Sequence, residues 1–164
     1  MSLITLRAIQ PEDMDLLYGV YASTRAEELM PVPWSETQKA DFLRSQFNAQ
    51  HSYYIKHYPQ ARFQVIELDG APAGRLYVDE RASEIRIVDI ALLPEFRRRG
   101  AGTRLLCDIL AEGKRLNVPV TIHVERFNPA LRLYEQLGFR MAEDRGVYYF
   151  MKWNPPGLPA VEVM

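Results

Sequence analysis

At 164 residues the chain is long enough for one domain with a substantial core and too short for two of ordinary size. Apolar residues make up 48% and charged residues 25%, as in a soluble globular protein, and a net charge of −1 supplies no field for nucleic acid. The one cysteine, Cys107, excludes an intramolecular disulfide and a cysteine metal cluster, and no apolar run reaches the length of a membrane span.

Residues 3–9 read as a strand. Pro11, with Glu12 and Asp13 behind it, opens a helix expected to run to about residue 23. The prolines at 31 and 33 break the chain, and Ser35 followed by Gln38 forms a capping box for a second helix carrying Phe42, Leu43, Phe47, Tyr54 and Tyr58. Residues 63–68 and 74–79 read as strands joined through Asp69-Gly70, a strong hairpin signal. A β-branched run at 85–93 predicts a buried strand that Pro94 ends. Helical spacing of Leu105, Leu106, Ile109, Leu110 and Leu116 follows, with Cys107 expected as a small packing residue. Residues 118–125 alternate Val120, Ile122 and Val124 with Thr121, His123 and Glu125, which predicts a strand. Asn128-Pro129 opens a last helix ending at Gly138, and 139–142 and 147–153 close the chain as a hairpin.

The order βααβββαβαββ implies an α/β (α+β) protein with a mixed, mostly antiparallel sheet and helices on both faces. Residues 1–153 are expected to form a single domain, and 154–164 a loose tail. A cytoplasmic location is expected. Oligomeric state is open, a homodimer included.

Between the buried strand and its helix lies Arg97-Arg98-Arg99-Gly100-Ala101-Gly102-Thr103. A glycine loop feeding a helix N-terminus suits an anion, because the first-turn N–H groups are unpaired, the macrodipole is positive there, and glycine admits close approach to the backbone. An ordinary turn with surface arginines would have the same composition. Neither G-x-G-x-x-G nor a P-loop fits, for Thr103, Arg104 and Leu105 follow Gly102, without the third glycine or the lysine those motifs require. The pattern present is Gln or Arg, two residues, Gly, one residue, then Gly or Ala, as Arg97-x-x-Gly100-x-Gly102.

That pattern, preceded by Ile90-Ala91-Leu92-Leu93-Pro94, resembles the acetyl-CoA loop of the GNAT family of N-acetyltransferases. A second signature resembles the same family: Asn128, Ala130, Leu133-Tyr134-Glu135 and Leu137-Gly138-Phe139. Together they cover about a third of the chain. The resemblance implies a GNAT-like fold in which two central parallel strands splay apart to admit acetyl-CoA. It implies transfer of the acetyl group to a primary amine of a small molecule or a peptide, without a metal. A longer acyl group is not excluded by these residues. The alternative is a non-catalytic acyl-CoA-binding or sensor module.

The resemblance carries cofactor roles onto Ile90, Ala91 and Leu92 (backbone), Arg97, Arg98, Arg99, Gly100, Ala101, Gly102 and Thr103 (diphosphate), Asn128, and Tyr134 (general acid to the sulfur). Asn128 stands one residue nearer Tyr134 than in the usual pattern, so either the loop is shorter or Phe127 takes the Asn position. For the base, His123 titrates near working pH and Asp89 is a carboxylate within an apolar strand; Glu84 is a third candidate. Tyr134 and His123 would equally serve as packing residues. His51 and His57 read as surface or packing residues, and His123 is too isolated for a metal site. Acceptor recognition would fall to Glu27, Glu28, Trp34, Tyr53, Tyr54, Tyr148 and Tyr149, acids and aromatics suited to a cationic amine.

Overall fold

The computed structural model describes residues 2–157; residues 158–164, which belong to the expected tail, and Met1 lie outside the described residues. The elements are β1 (Ile4–Ala8), α1 (Met14–Leu29), α2 (Glu36–His57), β2 (Arg62–Leu68), β3 (Ala71–Glu80), β4 (Ile85–Leu92), α3 (Ala101–Leu116), β5 (Val120–Glu125), α4 (Leu131–Gln136), β6 (Arg140–Asp144) and β7 (Tyr148–Trp153). The strands hydrogen-bond in the order β1-β2-β3-β4-β5-β7-β6. The β1–β2, β5–β7 and β6–β7 pairs are antiparallel and β4–β5 is parallel. This is the mixed, mostly antiparallel sheet that the order of elements predicts. Among the described residues no helix is long and apolar enough to cross a membrane.

The chain forms two compact units, one running to Tyr77 and including Ile90–Arg99, the other comprising Val78–Asp89 and the residues from Gly100 onward. In the first, Leu17, Tyr21 and Phe47 are buried together, with Ile9, Met14, Tyr18 and Leu43 packed against them. Ser35 Oγ accepts from Gln38 N at 3.1 Å and Gln38 Oε1 accepts from Ser35 N at 2.9 Å, so the capping box forms. Asp69 and Gly70 both take positive φ, 50° and 82°, as a two-residue hairpin turn requires. Helix α1 runs past Ser23 to Leu29. Ser23 and Thr24 explain this: their hydroxyls donate back to the carbonyls of Val20 and Tyr21, both at 2.7 Å, and so remain satisfied inside the helix.

In the second unit β5 buries Val120, Ile122 and Val124, and α3 buries Leu105, Leu106 and Leu110. Two expectations need correcting. Cys107 is exposed rather than packed, because it falls on the polar side of α3. Leu116, the last residue of that helix, is exposed too. The last helix is shorter than expected. Asn128 Oδ1 accepts from Ala130 N at 2.8 Å, an Asx turn that competes with helix, and helical bonding starts with Tyr134 N to Ala130 O at 3.1 Å.

The junction between β1 and α1 is held by charge. Arg7 donates through Nη1 and Nη2 to the two oxygens of Asp13, at 2.8 and 2.9 Å, and through Nε to Glu67 Oε2 at 3.2 Å. Asp13, only 8% exposed, also accepts from Gln10 N at 2.7 Å. The Arg7 guanidinium holds the Asp13 carboxyl below its ordinary range. A depressed carboxyl stabilises the fold above its unfolded pKa of about 3.9 and loses that contribution as pH falls through the lower folded value. Asp13→Asn should therefore cost about 2 kcal/mol at neutral pH and flatten the acid side of the stability profile, as read by urea unfolding between pH 7 and pH 2.

Candidate functional site

The end of β4 is set by its neighbour β3. A Cβ added at Gly74 would lie 2.2 Å from the Ala91 carbonyl oxygen and 3.0 Å from Leu92 Cα, so the two backbones approach where only glycine fits. Leu93 N donates to Ala73 O at 2.8 Å, and Pro94–Phe96 then make one 3-10 turn. Arg97 folds back over this turn: its Nε donates to Leu92 O at 2.8 Å and its Nη2 to Ser23 Oγ at 3.3 Å. Arg98 takes a positive φ of 62°, and the Arg99 guanidinium lies 5.5 Å from the Phe96 ring centre. Ile90, Ala91 and Leu92 are half-buried, whereas the three arginines are exposed.

Gly100 caps α3 with φ of 81°, and a Cβ built there would meet nothing within 4 Å. The first helical bond is Arg104 N to Gly100 O at 3.0 Å. The N–H groups of Ala101, Gly102 and Thr103 precede it and point along the positive end of the macrodipole. The unpaired N–H groups and the dipole at such a helix start favour a negatively charged group.

The recorded β4–β5 register comprises Ile85↔Val120, Arg86↔Thr121 and Ile87↔Ile122. Strand β4 continues beyond it to Leu92. Period-two alternation divides the candidate acids and bases between the two faces of this pair. Asp89 is in phase with Ile85 and Ile87, while Glu84 and Arg86 are in phase with Thr121 and His123.

Tyr134 is 4% exposed and sets its ring edge-on to Phe139 at 5.8 Å. Burial, and then the negative charge of Asp89, push the Tyr134 phenol well above an ordinary tyrosine. The structure thus places Tyr134 and Asp89 in one electrostatic environment.

On the face of Thr121 and His123, Arg145 Nη1 lies 2.7 Å from His123 Nε2 and Arg86 Nη1 lies 3.5 Å from Nδ1. A guanidinium only donates, so at the shorter contact Nε2 faces Arg145 as an acceptor. Burial, then Arg86 and Arg145, lower the His123 pKa. Glu84 is engaged too: it accepts from Arg81 at 3.0 Å, Thr121 Oγ1 at 3.1 Å and Arg86 at 3.3 Å. Thr121, expected on the polar side, is only 1% exposed because these side chains cover it. Asn128 spends its Oδ1 on the turn into α4, and Phe127 is 91% exposed.

Of the acceptor candidates, Glu28 pairs with Arg25 at 3.3 Å, Trp34 packs on Phe42 at 5.3 Å, and Tyr54 packs on Tyr77 at 5.9 Å. Tyr53 stacks on His57 at 4.0 Å, and His51 on Phe47 at 5.9 Å. Tyr149 lies under Arg126 at 5.3 Å, and Glu27 and Tyr148 are exposed. Among the described residues no group of three or more His, Cys, Asp or Glu could hold a metal ion.

A sequence model of the acetyltransferase (GNAT) family matches residues 25–139. No curated protein matches the sequence significantly. The PaiA N-acetyltransferase of Thermoplasma acidophilum, solved in complex with coenzyme A, is 18% identical with a TM-score of 0.69, over 93% of this chain and 99% of that one. An acetyltransferase of Thermus thermophilus is 20% identical with a TM-score of 0.63, over 91% and 94%. The ribosomal-protein-S18-alanine N-acetyltransferase of Escherichia coli is 19% identical with a TM-score of 0.59, over 93% and 94%. At such identities the likeness is one of fold.

Gly74 is the residue that sequence reasoning missed, although a glycine within a strand signals close backbone approach. Its neighbours are backbone atoms that cannot swing aside. Gly74→Ala should cost about 1–3 kcal/mol in chemical unfolding and shift the amide resonances of Ala91 and Leu92.

Proposed function

The chain belongs to the acetyltransferase (GNAT) family, and from that premise we propose that it transfers an acetyl group from acetyl-CoA to a primary amine. The observation that carries this reading is the start of α3, where Gly100 at φ of 81° opens the first-turn amides of a long helix directly after β4. The CoA bound by the Thermoplasma acidophilum neighbour supports the same reading.

Acetyl-CoA when bound supplies the activated acyl group. The N–H groups of Ala101, Gly102 and Thr103, with the positive charge of Arg98 and Arg99, would hold its diphosphate. Backbone groups of Ile90, Ala91 and Leu92 would hold the pantetheine arm, with the Leu92 N–H on the acetyl carbonyl oxygen, where negative charge grows. Tyr134 is the proton donor to the departing sulfur. A donor must carry its proton at working pH, and the raised Tyr134 pKa ensures that. For the amine proton we assign Asp89, which shares its environment with Tyr134. His123 is held neutral with its Nε2 lone pair on Arg145, and Glu84 already bonds two guanidiniums and a hydroxyl.

Purified protein with acetyl-CoA and a panel of amines and peptides should release free thiol. Tight CoA binding without thiol release on any amine would identify a sensor instead. Gly102→Glu should weaken CoA binding beyond any effect on stability, measured by calorimetry, because it puts bulk and negative charge at the helix start.

Tyr134→Phe should lower kcat by about 10²- to 10⁴-fold with little change in acetyl-CoA affinity. Equal loss of CoA binding would make the hydroxyl a cofactor contact. Since the Tyr134 pKa is raised, its ionisation should produce no alkaline limb below about pH 10. Asp89→Asn should remove the acidic limb of kcat. A limb that disappears in His123→Gln, falling below about pH 6.5 because that pKa is lowered, would transfer the role to His123.

A further inference from the structure

We infer that Arg97 is a positioning residue: its guanidinium straps the end of β4 to α1 and so sets the backbone that would hold the pantetheine and acetyl group. It does not act as a charge on the diphosphate. The inference rests on the acetyltransferase reading above and reassigns one arginine within it.

Three observations carry it. First, the Arg97 Nε–H is committed at 2.8 Å to the carbonyl oxygen of Leu92, the residue whose own N–H is assigned to the acetyl oxygen. Second, Nη2 reaches Ser23 Oγ at 3.3 Å, and the Ser23 hydroxyl proton is already given to Val20 O at 2.7 Å. The serine oxygen therefore faces Arg97 as an acceptor, and both bonds run from arginine outward. Third, the chain between Leu92 and Arg97 is a single 3-10 turn, closed by Phe96 N to Leu93 O at 3.0 Å and Arg97 N to Pro94 O at 3.2 Å. The strap spans this turn from outside, while the Gly74 contact fixes Ala91 and Leu92 from the β3 side. Rotation of the Leu92 peptide is thus opposed from both ends. Lysine at this position would keep the positive charge but could not make two divergent bonds with a planar fork.

The test separates shape from charge. Initial rates are measured with acetyl-CoA and with S-acetylpantetheine, which has no diphosphate, for the wild type, Arg97→Lys, Arg97→Ala and Ser23→Ala. In both Arg97 variants kcat/KM should fall about tenfold with either thioester, the size of one or two exposed charge-assisted hydrogen bonds. Ser23→Ala should show a smaller fall in the same sense. The salt dependence of CoA affinity should be that of the wild type.

Retained activity in Arg97→Lys, or a loss in Arg97→Ala confined to acetyl-CoA, would assign Arg97 to the diphosphate and overturn the inference. Unchanged kinetics in both Arg97 variants would also overturn the inference, leaving Arg97 neither role. Amide exchange in the ligand-free protein gives a readout independent of turnover: the Leu93, Phe96 and Arg97 amides should exchange faster in Arg97→Lys, and unaltered protection would overturn the strap. A wild type that binds CoA yet releases no thiol would count against the transferase reading alone, because exchange still decides the role of Arg97.

Discussion

Much of this structure follows from β4 and β5 being parallel neighbours. Two parallel strands cannot be joined by a tight turn, so the chain must cross over the sheet, and here it does so through the basic loop and α3. A crossover that begins where β4 ends brings a helix N-terminus directly after the C-terminal end of a strand. That is where open α/β sheets offer ligands their backbone donors. The recorded ladder between the two strands stops at Ile87↔Ile122, and β4 runs on to Leu92. Sheet direction and helix polarity are therefore one constraint expressed twice.

Electrostatics divides the parallel pair into two faces with different work. Glu84, Arg86, Thr121, His123 and Arg145 satisfy one another over the Phe150 ring, which lies 5.0 Å from the His123 ring and 5.3 Å from the Arg86 guanidinium. Such a network stabilises only if its members are all paired, and pairing makes its histidine a poor base. At Tyr134, burial and the negative charge of Asp89 act in the same direction, and both keep its proton in place. Two groups that look alike as acid–base candidates are thus pushed toward opposite behaviour by their surroundings.

The backbone around Leu92 owes its position to residues whose side chains need never touch a ligand. Gly74 contributes by having no Cβ, and Arg97 by turning inward to a carbonyl. Contacts of this kind constrain peptide orientation, which side-chain chemistry cannot report. They are also sensitive to a single added methyl group or to exchange of a planar fork for a point charge.

Local rules sufficed for much of the chain. The Ser35 capping box, the Asp69-Gly70 turn, the buried alternation of β5 and the glycine-led start of α3 depend on residues close in sequence, so period and turn chemistry reveal them. The family resemblance was legible for the same reason, in two short signatures. What depended on which of several partners a side chain took, near or distant in sequence, was not. Whether Ser23 ends or continues α1 depended on its hydroxyl finding Val20 O, and the length of α4 on where the Asn128 side chain turned. Cys107 and Leu116 lay at the margin of a helical stripe, where one step of rotation separates core from solvent. His123, on the polar side of an alternating strand, and Asp89, within an apolar one, were both candidates for the base. Only the tertiary structure decided that one lies between two guanidiniums and that the charge of the other acts on Tyr134, because a pKa is set by charges and burial brought together across the fold.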